Sequence, residues 1–144
     1  MSELSLRPED WIPHRPPFLL IDEMVSITPG QEASGRWTLT GDEYFFPGHF
    51  PGRPTTPGVL MLESLAQVGA VAVLADPAYT GRIPLFAGIE NARFRRQVLP
   101  GDTLEMVTTM TKLSARGGKG HGVATVNGVV AVEADIFFIL ADAS

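Results

Sequence analysis

The run from Val59 to Ala75, VLMLESLAQVGAVAVLA, constrains this chain more than any other feature. Its apolar residues go nearly all the way round a helix, and only Glu63, Ser64 and Gln67 interrupt them. Thr56 is placed to cap the start, Pro57 suits the first helical position, and Pro77 stops the helix near Asp76. A helix that is apolar on every side has to be enclosed. The run is short of a membrane span, which needs about 20 apolar residues without such interruptions. No membrane insertion is expected, and the enclosure must come from the rest of the chain.

The rest reads as strands. PFLLIDEMVSI (Pro17–Ile27) ends at the turn signal Pro29-Gly30, and EASGRWTLT (Glu32–Thr40) is its partner across that turn. After the helix come LFAGIENARFRRQV and, beyond Pro100-Gly101, DTLEMVTTMTKLSA. In MVTTMTKL, Val107, Thr109, Thr111 and Leu113 fall on one face, and Met106, Thr108, Met110 and Lys112 on the other. GHGVATV and VVAVEADIFFIL follow, joined by Asn127-Gly128, the strongest short hairpin signal. Two strands, one enclosed helix and about four more strands imply an α+β domain, an antiparallel sheet curved around the helix. A length of 144 residues is expected to make one domain, residues 1–144. An open edge on such a sheet is a liability that dimerisation removes by pairing edges.

A formal net charge of −5 argues against nucleic acid as the main partner. The absence of cysteine excludes disulfides, thiolate metal sites and a Cys nucleophile, and is compatible with a reducing cytoplasm, the expected location. The first residues carry acids and no basic-then-apolar run, so they do not read as a signal peptide.

The polar residues of FFPGHFPGRPTTPGVLMLESLAQ are the candidates for chemistry. Glu63 is expected to be desolvated among Val59, Leu60, Leu62 and Leu65, which raises a carboxyl pKa. It is either a structural acid paired with an arginine or a functional acid. Gln67, at i+4, shares its helix face and either orients that carboxyl or satisfies a buried polar group. His49 lies in a Pro/Gly turn, where a histidine is usually a plain loop residue. Gly58 begins the helix, where backbone N–H groups lack intrahelical partners and negative charge is favoured; the alternative is close packing. His14 and His121 read as structural or exposed, and the three histidines lack metal-ligand spacing. Arg93, Arg95 and Arg96 are a solvated strand face or a local basic patch. Phe18, Phe45, Phe86 and Phe94 read as core.

Taken together, HRPPFLLID, FFPGHFPGRPTTPGVLMLESLAQ and FAGIENARFRRQVLPGD resemble the β-hydroxyacyl-acyl-carrier-protein dehydratases of fatty-acid synthesis (FabZ type). The similarity runs from about Trp11 to Leu140, and the last hairpin matches more loosely. The resemblance implies the hotdog fold and dehydration of a (3R)-hydroxyacyl thioester, without metal or organic cofactor. Acyl carrier protein is the implied partner, docking on the basic patch, and a homodimer or trimer of dimers the implied assembly. His49 falls on the family's catalytic histidine, Glu63 on its catalytic glutamate, and Gly58 on the glycine whose N–H holds the thioester carbonyl. Each site in the family is shared, with the histidine from one subunit and the glutamate from the other. The chain departs from the family at Pro16, Thr56 and Ser64, where Tyr, Met and Ala are common. None of these removes a catalytic group. The rival readings are a hotdog thioesterase and a non-catalytic subunit that binds acyl chains or a carrier protein.

Overall fold

The enclosure that the apolar run demands comes from one sheet. In the computed structural model, which describes residues 4–142, the run forms helix α1 (Gly58–Leu74). Six strands surround it: β1 (Glu23–Thr28), β2 (Glu32–Thr38), β3 (Ile83–Phe94), β4 (Thr103–Ser114), β5 (Gly117–Val126) and β6 (Val129–Ala141). They make an antiparallel sheet in the order β1-β2-β4-β5-β6-β3. The helix touches all six strands, and every residue from Gln67 to Leu74 is buried. This is the expected α+β hotdog architecture, a curved antiparallel sheet round a long helix. No helix among the described residues is long and apolar enough to cross a membrane.

Local chemistry explains the joints. Asn127 and Gly128 have φ values of 50° and 80°, the left-handed pair that a two-residue hairpin between β5 and β6 requires. In the β1–β2 turn the Gly30 N–H donates to the Ala72 carbonyl at 2.8 Å, which satisfies one of the last helical acceptors. Leu104, Met106 and Thr108 of β4 are buried and Val107 and Thr109 are exposed, as alternation predicts. A register shift between Met110 and Lys112 then reverses the faces, so that Leu113 rather than Lys112 packs on the core.

Three expectations need correction. Thr56 does not cap α1: Pro57 is the N-cap residue, no side chain caps it, and Thr56 Oγ1 is buried without a partner. The extended Pro57 separates Thr56 from the first turn, and the Thr56 N–H donates instead to the Val98 carbonyl at 2.8 Å. The strand expected over Pro17–Ile27 begins only at Glu23, because the Phe18 carbonyl and the Leu20 N–H bond the Gln67 side chain of the helix rather than a strand. Finally, Phe18, Phe86 and Phe94 are exposed, and only Phe45 packs on the core. Phe86 and Phe94 lie on β3, a sheet edge that also exposes Leu85 and Ile89.

The helix lies close on the sheet because small residues meet there. A Cβ added at Gly69 would stand 2.8 Å from the Thr108 methyl. That methyl is pinned, since the Thr108 hydroxyl donates to the Leu65 carbonyl at 2.8 Å. Gly69→Ala gains about 1 kcal/mol of helix propensity. It loses about 1–3 kcal/mol to overpacking and strains a buried hydrogen bond worth about 1 kcal/mol. We expect a net destabilisation of about 1–2 kcal/mol, read from the urea midpoint.

Candidate active site

The loop before α1 holds His49 in one orientation. His49 Nδ1 lies 2.8 Å from the Thr55 carbonyl oxygen, and the Thr55 N–H donates to the His49 carbonyl at 2.9 Å. The Phe50 ring stacks on the imidazole with centroids 4.2 Å apart. A carbonyl oxygen only accepts, so Nδ1 must carry the proton. In the neutral ring Nε2 is therefore left with a free lone pair, which is the form a general base needs.

Thr55 also lines a groove of about 660 Å³ with Gly58, Val59, Phe94, Arg95 and Arg96. Gly58 opens α1, so its N–H lies outside the intrahelical ladder. Its lack of a side chain also serves packing, because a Cβ would come 2.5 Å from the Phe94 ring. Both readings of this glycine therefore have a physical basis. Arg95 is committed to Glu133 of β6 at 2.9 Å.

Glu63 and Gln67 belong to a different cavity. It has a volume of about 60 Å³ between α1 and the sheet, and is lined by His14, Glu63, Gln67, Phe86, Thr108 and Met110 among others. Burial pushes the Glu63 carboxyl above its ordinary range, against the opposing pull of a hydrogen bond from Gln67. Gln67 is fully engaged: its Nε2 donates to Glu63 Oε2 at 3.0 Å and to the Phe18 carbonyl at 2.8 Å, and its Oε1 accepts from the Leu20 N–H at 2.8 Å. It thus both orients the carboxyl and ties down the chain before β1. No arginine pairs with Glu63 among the described residues, so the structural ion-pair reading has no partner there. Ser64, buried on the helix, donates to the Met61 carbonyl at 2.7 Å.

His14, read from sequence as structural or exposed, stands in this cavity with Nε2 3.7 Å from Glu63 Oε2. His49 is not among the residues lining it. A single chain therefore brings Gly58 to one groove, beside the Thr55 that bonds His49, and Glu63 and Gln67 to another cavity.

The FabA-like domain profile matches residues 12–136. A protein of Herpetosiphon aurantiacus named 3-hydroxyacyl-(acyl-carrier-protein) dehydratase FabZ is 51% identical over 131 residues, covering 91% of this chain and 93% of its own. One of the same name from Desulforamulus reducens is 52% identical over 129 residues, covering 90% and 91%. Among solved structures, the dehydratase heterocomplex ApeI:P of Xenorhabdus doucetiae superposes with a TM-score of 0.79 at 18% identity, over 96% of this chain and 93% of that one. A mutant thioesterase of Pseudomonas aeruginosa superposes with a TM-score of 0.64 at 11% identity, over 85% and 82%. Those two likenesses speak for the fold alone, and the fold hosts more than one chemistry. The sequence relatives and the domain match decide the lineage: the chain belongs to the FabA-like family, with the FabZ-type dehydratases.

Proposed function

We propose that this chain dehydrates (3R)-3-hydroxyacyl thioesters, carried on acyl carrier protein, to trans-2-enoyl thioesters in the cytoplasm. The observation that carries the reading is the Nδ1 contact of His49 with the Thr55 carbonyl, which leaves Nε2 free to accept a proton. In the reaction Nε2 takes the C2 proton. The electron pair of that C–H bond becomes the C2=C3 bond, and the C3–O bond breaks. Glu63 gives its proton to the departing oxygen, which leaves as water. The Gly58 N–H stabilises the charge that develops on the thioester oxygen, a contribution of about 3–4 kcal/mol for one such donor. Gln67 holds the Glu63 carboxyl. A carboxyl whose pKa is raised by burial is suited to giving a proton near neutral pH.

The site is completed by a second copy. The groove with Gly58 and Thr55, the residue that bonds His49, and the cavity with Glu63 share no lining residue in one chain. Phe86 on the edge strand β3 lines one of them and Phe94 the other. Pairing β3 with β3 of a second copy covers Leu85, Phe86, Ile89 and Phe94, and removes an apolar edge that invites aggregation. We assign this pairing to a homodimer, alone or as a trimer of dimers, of which residues 1–144 form the single domain.

A product assay separates this function from its rivals. Incubation with a hydroxyacyl thioester on acyl carrier protein is expected to raise enoyl absorbance with no release of free thiol. Thiol release without enoyl absorbance identifies a thioesterase. Carrier-protein binding with neither product identifies a non-catalytic subunit.

A further inference from the structure

We propose that His14 is a positioning residue that works through Glu63: its Nε2–H and the Gln67 amide are the two donors that hold the carboxyl in its cavity. The inference rests on the proposed role of Glu63 as the acid.

Four observations support it. First, His14 Nδ1 is buried without a hydrogen-bond partner. A histidine kept only to satisfy the interior would pair both nitrogens, so this one has another reason to be polar. Second, an orphaned buried N–H is rarer than an orphaned acceptor, so the ring proton belongs on Nε2. Nε2 is the nitrogen that stands 3.7 Å from Glu63 Oε2. That separation is longer than a hydrogen bond, so the resting chain has a dipole facing the carboxyl. A shift of under about 1 Å turns it into a hydrogen bond, as happens to loose contacts in sites without substrate.

Third, the position of His14 is built. The Arg15 guanidinium donates to the Ile12 and His14 carbonyls at 2.8 and 2.7 Å and to the Glu9 carbonyl at 3.2 Å, which clamps the segment. Burial, and then the charge of Arg15, hold the His14 pKa below its ordinary value. His14 therefore faces Glu63 as a neutral donor. A cationic ring would trap Glu63 as the carboxylate, whereas a neutral one orients it and still lets it carry a proton. Fourth, nothing else from the same chain competes. Among the described residues that line it, His14 and Glu63 are the only titratable ones, and β3, β4, β5 and β6 contribute uncharged side chains.

The test uses the full chain labelled with 13C-carboxyl glutamate, with Glu63→Gln identifying the Glu63 signal. Wild type, His14→Ala and His14→Gln are titrated by NMR, and kcat and KM are measured across pH. A lost donor to the carboxylate makes Glu63 easier to protonate. In His14→Ala its titration is expected to move to higher pH, with kcat falling about ten- to a hundredfold and KM little changed. His14→Gln carries an N–H to the Nε2 position and is expected to recover most of both. If His14→Ala does not fold, His14→Asn, whose amide ends short of Glu63, takes its place. A folded variant in which Glu63 titrates as in wild type overturns the proposal, and so does a His14→Gln that behaves as His14→Ala. The titration reads this contact whether or not Glu63 is catalytic. A fully active Glu63→Gln would refute the acid role separately.

Discussion

Replacing His49 with alanine is expected to lower kcat by about a thousandfold, within the usual range for a lost general base, while the fold stays intact. The imidazole makes one hydrogen bond, to the Thr55 carbonyl, and one stack, on Phe50. The backbone bond from the Thr55 N–H to the His49 carbonyl survives the substitution. The stability cost is therefore about 1 kcal/mol, the size of one ordinary hydrogen bond. His49→Asn separates the two functions of the ring. Its amide sits where Nδ1 was and can still donate to Thr55, but nothing replaces Nε2. Thermal melts of the asparagine variant are expected to match wild type while enoyl formation remains as low as in alanine. Activity near wild type in either variant would remove His49 from the chemistry.

Glu63→Gln is expected to lose about a thousandfold in kcat and to melt higher than wild type at pH 8. Burial raises the Glu63 pKa above its ordinary value of 4.5. In the pH interval between these two values the folded chain holds more protons than the unfolded one. Linkage then gives the sign: the contribution of Glu63 is fully present below the unfolded pKa and is lost as pH rises through the folded one. Above its folded pKa the chain holds a desolvated carboxylate that a neutral amide does not create. The gap in melting temperature is expected to open as pH rises above about 4.5 and to reach a few degrees, as about 1 kcal/mol produces in a domain of this size. An absent gap at every pH would mean that Glu63 is not held against its charge.

Much of this molecule was legible in its sequence. The enclosed helix followed from an apolar run with no polar side, and the last hairpin from Asn127-Gly128, because both signals are local. The exposed phenylalanines were misread because Phe86 and Phe94 lie on β3, which sits at an edge through pairing with the distant β6. Apolar character alone does not show that a residue is covered by its own chain. The place of His14 beside Glu63 was not legible for a similar reason. His14 reaches Glu63 because Gln67 bonds the backbone at Phe18 and Leu20, 49 and 47 residues away. No local pattern records such a tie. Glu63 and Gln67 were paired correctly because they are one helical turn apart.

The central claim is that two groups kept apart in one chain meet when two copies pair. It is tested most directly by co-expressing His49→Ala with Glu63→Gln in equal amounts. Each mixed dimer then holds one site with both groups intact, and random pairing makes half the dimers mixed. Activity is expected to return to about a quarter of wild type, although each variant alone is nearly inert. Mixed dimers found by mass spectrometry with no activity above the separate variants would contradict the shared site.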